Sequence, residues 1–221
     1  CHMLSLDFIN NEYEDTKTPA QKVCESIAID ILTGILPDGK QIVEQKLCEK
    51  YKMSRTPIRE IIKDLQMLGL IDLIPNRGAF VSGISQRDVN DFFYMKSLLY
   101  PQCVKWAVER ITEEEFAMLE EAFTFMQFYA VTEDLEKIQR VIHGFNAIIY
   151  NASHNKELET TLLRYDFLIK YANIGVRYPL NFMQDVLEEH QAIFDAFIAK
   201  DPDMGADAAQ VHAYKSMMRR K

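Results

Sequence analysis

No stretch of the 221 residues approaches the ~18 uninterrupted apolar positions of a membrane-spanning helix, although 48% of the chain is hydrophobic, ample for buried cores. The start lacks the basic n-region and apolar core of a signal peptide. Cys1, His2 and Met3 resemble a cloning scar more than a targeting signal, and "LSLDFINNEYEDTK" follows them. Cysteine is scarce. Beyond Cys1, the three cysteines Cys24, Cys48 and Cys103 are scattered and in no CxxC pair, which fits a reducing, cytoplasmic compartment better than a disulfide framework. Internal repeats, low-complexity tracts and the HExxH signature are all missing. So is a surplus of positive charge: the formal net charge of −8 on its own argues against a nucleic-acid binder.

That charge is unevenly spread. Residues 17–83 carry ten Lys and Arg against eight Asp and Glu, whereas residues 84–221 carry fifteen against twenty-one. Only the early third is suited to meet phosphate. The length allows one or two domains, and the shift favours two: residues 4–83, with a core from 17, then 82–87 as a linker, then an all-helical domain from 88 to 221.

Within the first domain, Val23, Ile27, Ile31 and Leu32 recur at helical spacing after a Thr18–Pro19 start, and Gly34 closes the helix. A short helix is expected over 43–51. Ser54 then reads as an N-cap for a helix that buries Ile58, Ile61, Ile62, Leu65 and Leu68 and ends at Gly69. "LIDLIP" and "GAFVS" follow as a two-stranded hairpin with Gly78 near its tip. Helix, helix, helix, hairpin is the order of a winged helix-turn-helix. Beyond it, helical patterns over 88–110, 112–129, 132–151, 156–173, 179–199 and 203–219 predict an antiparallel bundle. The fold class is mainly α.

The segment "YKMSRTPIRE" (51–60) is where chemistry first concentrates. A helix N-terminus offers free backbone N–H groups and a positive dipole end to a phosphate, and arginines in its first turns can reach guanine N7 and O6. Arg55 and Arg59 are four residues apart on one face, Thr56 can bond a phosphate or touch a thymine methyl, and Pro57 stiffens the turn. Seen alone, such a segment is more often a solvated helix start with ordinary surface charge. Its place between a helix-turn and a hairpin tipped by Asn76, Arg77 and Gly78 points to DNA.

Residues 31–85, through "SRTPIRE" and "PNRGAFV", resemble the winged helix-turn-helix domain of the GntR family of bacterial transcription regulators, in particular its FadR-like branch. The resemblance implies a homodimer on a palindromic double-stranded operator. It places DNA contacts at Ser54, Arg55, Thr56, Arg59, Arg77 and Gly78, with Gln45 where relatives often have an arginine.

Three histidines, His143, His190 and His212, stand on expected helices, and by spacing alone each is more often a satisfied core or surface residue than a metal ligand. "VIHGFNAIIYNASHNKEL" and "EEHQAIFDAFIAKDPDMGADAAQVHAY" resemble the FCD effector domain of the same branch. Its metal-binding members use an Asp and a His one helical turn apart plus two later histidines. The histidines match, whereas Gln139 stands in place of the Asp. The resemblance implies a divalent metal, Zn²⁺ or Ni²⁺, with positions open to a ligand carboxylate. Lys96 falls in the apolar stripe Phe92, Leu99, Cys103 and Trp106; it either snorkels or, with Gln139, meets an acidic effector. Two other functions stay open: an acyl or apolar ligand without metal in the same fold, and a three-histidine hydrolase with Glu189 as base.

Overall fold

The structure is a computed structural model that describes residues 18–172 and 181–219. The expected domain residues 4–17, the "VRYP" break with the start of its helix at 179, and residues 220–221 lie outside that description. The described residues divide into two compact units, 18–89 with 168–172, and 90–167 with 181–219.

The first unit holds α1 (Pro19–Leu32), β1 (Gln41–Ile42), α2 (Glu44–Tyr51), α3 (Arg55–Met67), β2 (Ile71–Ile74) and β3 (Gly78–Val81). Thr18 opens α1 with a capping box, its side chain and that of Gln21 each accepting the other's backbone N–H. Cys24, Ile27, Ala28 and Ile31 form its buried face, so the face lies between the expected Val23 and Leu32. The inward set expected for α3 is seen: Ile58, Ile61, Ile62, Leu65 and Leu68 are all buried. Lys52, with φ +52°, ends α2 in a left-handed turn that leads directly to α3.

The hairpin differs from expectation by one strand. Gln41 and Ile42 pair antiparallel with β3, giving the order β1-β3-β2. Two residues are too few for any periodicity to reveal. Between β2 and β3, Arg77 donates its N–H to the carbonyl of Ile74, with Pro75 second and Asn76 third in the turn. Asn76 at φ +59° and Pro75 before it are the residue types that a type II turn demands.

Six helices follow: α4 (Gln86–Arg110), α5 (Glu113–Val131), α6 (Leu135–Ala152), α7 (Lys156–Ala172), α8 (Phe182–Ala199) and α9 (Pro202–Met218). Each lies within three residues of its expected position, apart from the undescribed start of the α8 range. Thr112 and Glu115 form a second capping box at α5, and Asp201 caps α9 ahead of Pro202. α5 packs on α6 and on α8, and α8 on α9. The stripe expected on α4 is rotated: Tyr100, Cys103, Val104 and Ala107 are fully buried, while Leu99 and Trp106 lie at its edge. Phe128 is 59% exposed, whereas Phe123 and Phe145 are buried in the core. Gly205 marks a close approach of three helices, since a Cβ there would stand 3.1 Å from Val104, 3.2 Å from Val108 and 3.4 Å from Ala196.

Candidate functional site

In the first unit, the start of α3 presents Arg55, Thr56 and Arg59 to solvent, as their spacing required. Ser54 occupies the N-cap position with extended backbone, but its side chain makes no cap hydrogen bond, contrary to its expected role. Its hydroxyl and the first-turn N–H groups are therefore available to a phosphate. Arg59 is paired: its Nε–H donates to both carboxylate oxygens of Glu44, at 3.0 and 3.2 Å. Gln45 donates to Glu49 within α2 at 3.1 Å and remains exposed. At the hairpin tip Arg77 is exposed and lies over the Phe80 ring at 5.7 Å, while its carbonyl accepts from the Gln41 side chain at 3.1 Å. Gly78 has φ +101°, which only glycine adopts without strain.

In the second unit, buried polar groups from α4, α6, α7, α8 and α9 gather in the bundle. His190 is fully buried and donates Nδ1–H to the carbonyl of Val186 at 2.7 Å, which leaves the Nε2 lone pair buried without a partner. The His212 ring lies 4.7 Å away, centroid to centroid, and Nδ1–H donates to the Glu189 carboxylate at 2.8 Å. Arg219 donates to the other oxygen of Glu189. Burial would raise the Glu189 carboxyl, but the hydrogen bonds from His212 and Arg219 outweigh it and hold the group below its usual value. Burial, followed by the neighbouring His212, pushes His190 well below the ordinary imidazole value; burial also lowers His212, against the pull of Glu189. Both rings are neutral, with Nδ1 oriented by a second group and Nε2 bearing a lone pair. This is the arrangement of metal-ligating imidazoles.

His143 lies half-buried on α6, with Gln139 half-buried one turn before it. Among the described residues, no group of three or more His, Cys, Asp and Glu stands close enough to hold a metal. The expected three-histidine cluster is thus seen as a pair, His190 with His212. Glu136 is exposed and bonded to Arg140, away from any such role.

Lys96 neither snorkels nor stands alone. Its ammonium pairs with Asp166, both side chains being nearly buried, and lies 5.6 Å from the Tyr100 ring centre and 5.9 Å from that of Tyr150. Tyr150 donates to the other oxygen of Asp166 at 2.8 Å, and Tyr100 donates to buried Asn146 at 3.0 Å. Sequence reading missed Asp166, Asn146, Glu189 as the partner of His212, and Arg219. The signal for the first two was a polar residue inside an apolar helical run, "RYDFLI" and "FNAII". The signal does not name the partner.

A helix-turn-helix followed by a hairpin wing, with an exposed arginine pair at the start of the second helix, is the architecture of DNA-binding proteins of the winged-helix class. Residues 19–81 match the bacterial regulatory proteins of the gntR family, and residues 91–214 match the FCD domain. The chain belongs to the GntR family of bacterial DNA-binding transcription regulators with an FCD effector domain; this is a family of regulators, not enzymes.

The HTH-type transcriptional regulator YdhC of Bacillus subtilis is 27% identical, over 82% of each chain. The galactonate operon transcriptional repressor of Escherichia coli is also 27% identical, over 83% of this chain and 93% of its own. Among solved structures, McbR/YncC of E. coli has a TM-score of 0.67 at 20% identity, covering 92% of this chain and 97% of that one. Lar, which controls expression of the Listeria monocytogenes agr system, has a TM-score of 0.69 at 15% identity, over 94% and 98%. At these identities the solved structures establish the fold. Among the described residues no helix is long and apolar enough to cross a membrane.

Proposed function

We propose that this regulator works as a homodimer on a palindromic operator and releases or tightens its hold when the helical domain binds a small hydroxy- or dicarboxylic acid at a divalent metal. Ser54, Arg55, Thr56 and Arg59 address the major groove, with Arg77 and Gly78 at the wing. One observation carries the effector site: the His190 Nε2 lone pair is buried without a partner beside a second imidazole held in the same tautomer. A buried acceptor left unmet is costly, and a cation satisfies it. His190 and His212 would hold Zn²⁺ or Ni²⁺. The ion, when bound, supplies positive charge and open positions for an oxygen ligand.

The attraction for a carboxylate rests on the ion, because the charge of Lys96 is already met by Asp166. With the amide of Gln139 in place of a carboxylate, the site stays cationic. The galactonate operon repressor is named for a sugar acid, which supports the class of ligand. Exposed apolar residues on α4 (Tyr94, Met95, Leu98) and on one face of α9 (Val211, Tyr214, Met218) support association with a second copy.

Elemental analysis of the purified protein is the test, followed by thermal shifts with hydroxy- and dicarboxylic acids. Near-stoichiometric metal, lost in His190→Ala and His212→Ala, is expected. A stabilising acid at a hundredfold excess over its dissociation constant adds about 2.7 kcal/mol. The alternative, an acyl or apolar ligand without metal, is favoured by Gln139 and by the incomplete ligand set among the described residues. A metal-free protein stabilised by acyl chains and by no small acid would establish it instead.

A further inference from the structure

The pairing of Arg59 with Glu44 joins the start of α2 to the second turn of α3, and it is made through one particular nitrogen. Both carboxylate oxygens accept from Nε–H, at 3.0 and 3.2 Å. The two terminal amino groups of the guanidinium lie outside this pair. A guanine edge can be read by an arginine either end-on, through those two amino groups, or side-on, through Nε and one of them. With Nε engaged, only the end-on approach remains. We propose that Glu44 is a positioning residue for base recognition: it fixes Arg59 to address a guanine end-on, and so sets which base pair the regulator prefers. This rests on the assignment of Arg59 to the DNA-reading face.

Three features of the pair fit such a role. The side chains are 59% and 40% exposed, so the ion pair adds little to folding stability and its effect falls on orientation. Arg59 is a long, flexible side chain, and a planar fork held by a carboxylate loses less freedom when it meets the base. Glu44 is also an anion on a surface that faces phosphates, which repel it. For non-specific binding it is a liability, and its gain is confined to the sequences Arg59 reads.

The experiment uses the full chain and a duplex selected from a randomised library by the wild-type protein. Affinities are measured for that duplex, for its single-base-pair variants and for an unrelated duplex of equal length at one salt concentration. Arg59→Ala identifies the base pair it reads, by loss of discrimination there. Glu44→Ala is expected to lose about tenfold discrimination at the same base pair, while binding the unrelated duplex as well as the wild type or better. In the Arg59→Ala background Glu44→Ala should add nothing. Glu44→Gln, which keeps one oxygen to accept from Nε, should fall between.

Full discrimination retained by Glu44→Ala, where Arg59→Ala loses it, would overturn the inference. So would an equal loss on selected and unrelated duplexes, which is the mark of a merely structural role. If Arg59→Ala itself discriminates normally, the assignment of Arg59 is wrong and the positioning role of Glu44 falls with it.

Discussion

The two functional regions of this regulator differ in how far apart in sequence their parts lie. The proposed DNA face is built from neighbours: Ser54, Arg55, Thr56 and Arg59 share one helix start, and Arg77 and Gly78 share one turn. The polar cluster of the bundle draws Lys96, Asn146, Asp166, His190 and His212 from five helices. The first is exposed to solvent, where a partner can reach it. The second is buried, and a charge in it that loses its partner cannot turn to water instead. A substitution on the DNA face should therefore change binding and spare folding, and one in the cluster should do the reverse.

The largest effect expected from this contrast is at Lys96. Replacing it by Met leaves Asp166 as an uncompensated, nearly buried carboxylate, at a cost of about 3 kcal/mol in chemical denaturation. Adding Asp166→Leu should recover most of that loss. A single variant as stable as the wild type would show that Asp166 reaches water. Arg55→Ala should show the opposite pattern: about 1–3 kcal/mol lost from operator binding with reduced preference at one base pair, and a melting temperature close to wild type.

The third expectation concerns pH. His190 and His212 titrate below their ordinary values in the folded protein, so the unfolded chain binds more protons once pH falls under about 6.5. Stability of metal-stripped protein is therefore full above that value. It declines below it, by about 1.4 kcal/mol per pH unit for each histidine, until the folded values are reached. Unfolding curves that stay constant from neutrality to pH 5 would place both rings in contact with solvent. The smallest effect belongs to Arg77→Ala. It should weaken selected and unrelated duplexes alike and reduce the slope of log affinity against log salt by about 1.

The same distinction explains how much could be read beforehand. Helix positions, the wing and the exposure of Arg55, Thr56, Arg59 and Arg77 followed from local spacing and caps, because each is decided within a dozen residues. Strand β1 was missed because Gln41 and Ile42 owe their conformation to β3, some forty residues later. In the bundle, the residue types were visible and the pairings were not. Nothing in the sequence ties Lys96 to Asp166, 70 positions away, so its ammonium reads there as snorkelling or as meeting an acidic effector. Glu189 was weighed as a base beside His190, its neighbour in the chain, yet its partner is His212 on the next helix. The α4 stripe was displaced because a helix of 25 residues with several flanking partners is not constrained by a single apolar face.

The Lys96–Asp166 pair also bears on how this bundle can diverge. Losing either member strands a charge, whereas losing both together for apolar side chains of similar volume is nearly neutral. Single-step mutational routes between the two states pass through a poorly folded intermediate. Descendants of this chain should therefore keep the pair or abandon it as a unit, with a stabilising change elsewhere preceding any exchange. The ligand preference of the bundle is free to drift residue by residue around that fixed point.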